Sequence, residues 1–251
     1  MNSIAIRLIV FACVFGGALF GMFLRGVLPE HQLSADSKDT VRMGMGLIGT
    51  LTALVLGLLI ASAKNFYDTQ SSELTEMSAK IVLLDRVLAH YGPEAKEVRD
   101  LLHSAVARTL DLLWPKDPGQ HPQMEPTAAG GEILYDKIQE LSPKSDMQRS
   151  LQAQALNMAI DLGKMRWLMF EQAGSFISMP LLAVLVFWLA VIFSSFGLFA
   201  PRNATAIATL FVCALSVSGA IFLILEMYSP FQGLMQISNA PLRNAIAHLG
   251  Q

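Results

Sequence analysis

The sequence predicts an all-α membrane protein, with four transmembrane helices and an aqueous helical bundle inserted between the second and third spans. Three observations carry that prediction. Charged residues make up 15% of the 251 and apolar residues 53%, whereas soluble domains hold roughly 25% charged residues. The apolar residues gather in four blocks, each near the roughly 20 residues that a helix needs to cross a hydrocarbon core of about 30 Å. Between the second and third blocks the chain turns polar, and its apolar positions recur at alternating spacings of three and four.

The first block, Leu8 to Leu24, is preceded by Arg7 and followed by Arg25, Gly26 and Pro29. No small-x-small cleavage pattern follows it directly, so it reads as a retained anchor rather than a signal peptide. Its Gly17-Ala-Leu-Phe-Gly21 has the small-xxx-small spacing that lets membrane helices approach closely. Pro29 to Asp39 reads as a polar loop. The second span, Gly44 to Ala63, runs into Lys64 to Tyr91 as one helix, because neither glycine nor proline interrupts the chain between Leu58 and Tyr91.

Tyr91-Gly92-Pro93 is a turn signal, and Glu94 to Trp114 is an amphipathic helix with Val98, Leu101, Leu102, Ala105, Val106, Leu110 and Leu113 on one side. Trp114 to Gly131 is rich in proline and glycine and reads as a loop. A short helix, Glu132 to Leu141, precedes a long run from Met147 to Ser178. There Leu151, Ala155, Met158, Leu162, Met165, Met169 and Phe176 keep a heptad-like phase, the stripe expected of a partner for the second-span helix. Pro180 to Phe199 is the third span, Pro201 to Asn203 a tight turn, and Ala204 to Leu225 the fourth span. These elements divide the chain at 1–63, 64–178, 179–228 and a tail, 229–251, which ends in a short amphipathic piece from Leu242 to Leu249.

Charge patterning adds exclusions. A net charge of -2 with no basic patch argues against nucleic acid as a partner. Cys13 and Cys213 lie inside apolar blocks and read as small packing residues rather than disulfide partners. Four spans place both termini and residues 64–178 on one side. Arg7, Lys64, Lys80, Lys164, Arg166 and Arg243 lie on that side, with Arg25, Lys38, Arg42 and Arg202 opposite, so the positive-inside rule points to a cytoplasmic domain.

Two stripes on the second-span helix stand out. Below the membrane, Tyr67, Gln70, Leu74, Met77, Ile81, Leu84, Leu88 and Tyr91 have coiled-coil spacing, which fits packing against the returning helix or self-association. Within the span, Gly46, Gly49, Ala53, Gly57 and Ala61 form a line of small residues with Thr50 and Thr52 beside it. Such a line either packs against another helix or lines an aqueous path that gates by dewetting. Lys64 and Asp68 follow at a spacing of four, as a solvated pair or, in a ring of subunits, as a charged mouth. Glu226 closes the fourth span as an interfacial carboxylate or an ion contact. Asp100 and His103 share one helix face and His90 lies nearby, but a metal site needs a second such pair, so no metal and no other cofactor is expected. There is no phosphate loop, nucleophile elbow or Cys-x-x-Cys, and the chain does not read as an enzyme.

Two stretches carry a family resemblance: Leu54 to Tyr67, where the second span leaves the membrane, and Leu225-Glu226-Met-Tyr-Ser-Pro230-Phe231-Gln-Gly233, followed by Ile237-Ser238 and Pro241-Leu242. With the order of two spans, a helical domain, two spans and a tail, they resemble a bacterial membrane domain family of unknown function described as bestrophin-like. The likeness runs from about Gly44 to Leu242. It implies a homo-oligomeric ring, of five subunits, in the bacterial inner membrane. It also implies a pore with an anion preference, inorganic anions as the permeant species and the second span lining the narrow part. No bestrophin gate residue carries over, because the second span lacks an aromatic constriction. The leading expectation is thus a passive ion channel in the lipid bilayer. The alternative is a membrane-anchored sensor or scaffold whose helical domain binds a protein partner.

Overall fold

A computed structural model describes residues 3–29, 34–115, 122, 130–173 and 179–250. Every regular element among them is a helix, and four of these helices are long and apolar enough to cross a membrane. In order they are α1 (Ser3–Val27), α2 (Ala35–Tyr91), a single 3-10 turn (Pro93–Ala95), α3 (Lys96–Leu113), α4 (Gly131–Gln139), α5 (Asp146–Ala173), α6 (Met179–Phe199), α7 (Ala204–Met227) and α8 (Ala240–His248). The chain forms two compact units. One comprises Met1–Phe66 and Phe176–Tyr228, the other Tyr67–Ser175 and Ser229–Gln251.

The helix carrying the second span begins at Ala35, inside the stretch read from sequence as a loop. Ser34 accounts for the early start: its Oγ accepts a bond from the Ser37 N–H at 3.3 Å, and Asp36 sits in the first turn, where a carboxylate complements the helix dipole. From there α2 runs 57 residues without a break. Most of the loop read from Trp114 to Gly131 lies outside the described residues. So do Phe176 and Ser178 at the end of the long run, of which Asp146–Ala173 is helical.

In the first unit the closest helix approach is α1 on α6, with α7 on another side of α1. The Gly17 to Gly21 motif lies on the α6 side. A Cβ added at Gly17 would stand 2.8 Å from the Ala190 carbonyl oxygen, one at Gly21 would overlap the Ser194 carbonyl, and one at Gly197 would overlap the Ala18 carbonyl. Backbone therefore meets backbone here, the small-residue crossing that generates van der Waals attraction between membrane helices. On the α7 side, Phe11 and Phe15 stack at 5.6 Å and both meet Phe211 edge-on at 5.4 Å. Arginines at the helix ends find acceptors: Arg25 donates to the Ala200 carbonyl, and Arg202 to the Met22 carbonyl at 2.8 Å. Arg7 lies 5.1 Å from the centre of the Phe222 ring. Cys13 and Cys213 are free thiols, and both are exposed in the single chain. Each sits on the outward face of an apolar helix.

The second unit is built on the heptad seam. Leu74, Met77, Ile81, Leu84, Leu88 and Tyr91 of α2 are buried with Val98, Leu102 and Val106 of α3, Leu134 and Ile138 of α4, and Ala155, Leu162 and Met169 of α5. The seam thus forms an intramolecular core, as bundle periodicity allows. Phe231, Ile237, Leu242 and Ala245 of the tail belong to the same core. Trp114 fixes the tail: its ring meets Phe231 at 5.5 Å and its Nε1–H donates to the Ile237 carbonyl at 3.1 Å. Phe231→Ala is expected to cost about 3 kcal/mol through the cavity it leaves. That loss would appear as a lower melting temperature in nanodiscs and as faster proteolysis of the tail.

Candidate functional site

The candidate face is built by helix geometry alone. Positions 46, 50, 53, 57, 61, 64 and 68 are spaced four or three apart and fall on one stripe of α2. Gly46, Thr50, Ala53, Gly57 and Ala61 are exposed, and Gly49, slightly around the helix, is half-buried. Added Cβ atoms at Gly46, Gly49 and Gly57 would meet nothing within 4 Å. Among the described residues, no other helix approaches these three glycines closely. The contrast with Gly17, Gly21 and Gly197 is direct.

The opposite stripe of α2 holds the helix to its own unit. Thr52, Leu59 and Ala63 are buried, and at the lower end Phe66 stacks on Tyr228 at 5.3 Å while Ser62 shares a hydroxyl hydrogen bond of 3.0 Å with it. Beside the small-residue stripe runs a ridge of bare apolar side chains, Leu47, Leu54 and Leu58, each 66% exposed, headed by Met43 at 77%. Only 11% of the most apolar window of α2 is buried, against 28% in α1 and 33% in each of α6 and α7. The second span is thus the least covered of the four.

The chemistry of the stripe is sparse. Thr50 donates its hydroxyl hydrogen to the Gly46 carbonyl at 2.9 Å, so it presents an oxygen outward and no donor. Its neighbours Gly46, Ala53, Gly57 and Ala61 contribute backbone and methyl groups. A surface of this kind offers little for an ion to bind, and where small residues line a path they act through width and wetting rather than coordination. Lys64 and Asp68, both exposed, continue the stripe with the first charges.

The tail residues have other tasks. Pro230 and Phe231 are buried in the second unit, Gly233 takes a positive φ of 79° in the turn that follows, and the Ile237 N–H closes that turn on the Pro230 carbonyl at 2.7 Å. Glu226, in the last turn of α7, is only 3% exposed. His90, His103 and Asp100 are exposed, and among the described residues no three His, Cys, Asp or Glu side chains come together.

Sequence reading missed an ion pair and a cation. Asp85, 1% exposed beside the seam, accepts from Arg99 through Nε at 2.7 Å and Nη2 at 2.8 Å, and from the Gly250 N–H at 3.2 Å. The hydrogen bond to Asp85, more than burial opposes it, holds the Arg99 guanidinium above its ordinary pKa. Arg166 is the missed cation. Both positions look like solvated charge on a helix, and only the seam spacing around Asp85 marks it as inward.

The family model described as the bestrophin-like domain matches residues 12–242. Among curated proteins there is no match. Among solved structures, the chain is similar to a bacterial bestrophin homologue from Klebsiella pneumoniae, crystallised as single-site variants. One variant has a TM-score of 0.69 at 12% identity and covers 99% of this chain and 97% of its own. A second has a TM-score of 0.65 at 14% identity, with 94% and 97% covered. A crystal structure described as a membrane protein, also a variant, gives 0.65 at 13%, with 96% and 99% covered. At these identities the likeness is one of fold.

Proposed function

The chain belongs to the bestrophin-like domain family, and on that basis we propose that it is one subunit of a closed ring in the bilayer that conducts anions passively along an axis faced by α2. The observation that carries this reading is the uncovered second span. Added Cβ atoms at Gly46, Gly49 and Gly57 of its small-residue stripe would meet no other part of the chain within 4 Å, and its leucine ridge leaves a large apolar surface bare. A ring covers the ridge with neighbouring subunits and turns the stripe inward, where small residues leave room for a path. In that arrangement Lys64 and Asp68 ring one mouth, and residues 64–178 with both termini lie on the cytoplasmic side of the inner membrane.

Two measurements test this. Subunit counting by photobleaching in nanodiscs is expected to give one number above two, and liposomes holding the protein are expected to leak chloride. Gly57→Phe adds bulk where a Cβ meets nothing within 4 Å beyond the helix's own adjacent backbone. It is expected to change melting by under roughly 0.5 kcal/mol while cutting flux on the order of tenfold. A monomer in lipid, or a Gly57→Phe variant that conducts like the parent, would sink the proposal. A fluorescent protein fused after Gln251 is expected to light up only inside cells.

A further inference from the structure

Inside the second unit, residues of α2, α3, α4, α5 and α8 line a half-open pocket of about 430 Å³, within the size range of small-molecule sites, roughly 300–1,000 Å³. Its wall is mostly apolar, with Met77, Ile81, Leu102, Val106, Leu162 and Leu242 among its residues. One cation, Arg166, lines it. Arg166 Nη2 is sealed from solvent and has no hydrogen-bond partner. Its Nη1 takes the space that a Cβ on Gly131 would need. The glycine opening α4 is therefore what admits the guanidinium.

A buried N–H of a cation without an acceptor is costly, and an apolar side chain of similar volume fills such a position at lower cost. Burial depresses the Arg166 pKa, with the charge of Glu132 acting in the opposite sense. Stability alone does not call for arginine here. What complements a lone guanidinium in an apolar chamber is a planar pair of oxygens on an apolar body, because the guanidinium fork matches a carboxylate with two parallel bonds. The other charges on the lining, Glu132 and Asp136, are exposed carboxylates of α4. They leave a doubly charged anion such as phosphate under-neutralised and favour a single negative charge.

We propose that this cavity binds a small amphipathic monocarboxylate, its carboxylate on Arg166 and its hydrocarbon or aryl body against the apolar wall formed by Met77, Ile81, Leu102, Val106 and Leu162. A turn of the Arg166 side chain toward the cavity gives Nη2 the acceptor it lacks. The site stands independently of the channel reading, since it is complete within one chain.

Saturation-transfer NMR on the full chain in nanodiscs, with empty nanodiscs as the blank, tests it using phenylacetate, octanoate and the uncharged phenylacetamide. Phenylacetate or octanoate is expected to bind, and phenylacetamide to bind at least about tenfold more weakly. Arg166→Met is expected to lose carboxylate binding by at least about tenfold while melting at or above the parent temperature, because a sealed N–H without an acceptor has been removed from a half-buried side chain. Ala159→Phe, which fills the cavity from α5, is expected to lose binding with Arg166 intact. Absence of binding by both carboxylates, equal binding of phenylacetamide, unchanged binding in Arg166→Met, or displacement of phenylacetate by equimolar inorganic phosphate would each overturn the proposal. So would a fall in the melting temperature of Arg166→Met, which would make the guanidinium a structural group.

Discussion

Gly197→Val is expected to lower the melting temperature in nanodiscs by about 6–12 °C, equivalent to about 3 kcal/mol. The cause is where the added atoms go. A Cβ at Gly197 overlaps the Ala18 carbonyl and lies 3.1 Å from the Met22 nitrogen, both backbone atoms of α1. A flexible side chain can move aside, but helix backbone moves only by shifting the whole helix. Gly21→Val should behave similarly, because its Cβ meets the Ser194 carbonyl and approaches the Leu198 nitrogen to 2.9 Å. Gly16→Val is the control, one residue from the motif, on the same helix and with nothing within 4 Å. Its expected change is below roughly 0.5 kcal/mol. Equal losses at Gly16 and Gly197 would mean that the α1 and α6 backbones do not meet in the membrane.

Asp85→Ala is expected to destabilise the chain by about 3 kcal/mol, the lower end of what breaking a buried pair costs. The lower end applies because Arg99 keeps 21% of its side chain exposed while Asp85 is 1% exposed. The loss has two parts: an uncompensated guanidinium is left in a largely apolar setting, and the Gly250 N–H loses its acceptor. The C-terminus should therefore be trimmed faster by carboxypeptidase in the variant. Asp85→Leu combined with Arg99→Met should recover most of the stability, since an apolar pair of similar volume carries no desolvation cost. If the double variant melts as low as the single one, the pair is holding something other than itself.

Much of this fold was legible because its signals are averages. Four apolar blocks survive any single substitution, and the seam from Leu74 to Tyr91 repeats often enough to fix an inward face. The glycine motif at Gly17 and Gly21 was readable as a contact surface, but its partner was not. Nothing in the sequence of α1 names Ala190, Ser194 or Gly197 on a helix far along the chain. The start of α2 at Ala35 is not legible from pattern because residues 35–40 carry no apolar periodicity, and a lone serine such as Ser34 is a weak signal of a helix start. Asp85, Arg99 and Arg166 were missed for one reason: a charge on an amphipathic helix reads as solvated, and burial of an ion depends on what another element lays over it. The stripe from Gly46 to Ala61 is a different case. Its residues were plain in the sequence, and Gly46, Thr50, Ala53, Gly57 and Ala61 are exposed in the single chain, so no contact within the chain assigns the stripe a partner.

The α1 crossing also orders events during synthesis. The acceptor of Arg25 is the Ala200 carbonyl, 175 residues later. At about 5–20 residues per second, translation leaves α1 without α6 for roughly 9–35 s after it reaches the bilayer. During that interval the bare glycine face of α1 is open to any small-residue helix that drifts past. An insertase or chaperone that shields such faces would be most needed then, and slowing translation downstream of α1 should lower the yield of native protein more than slowing it downstream of α6.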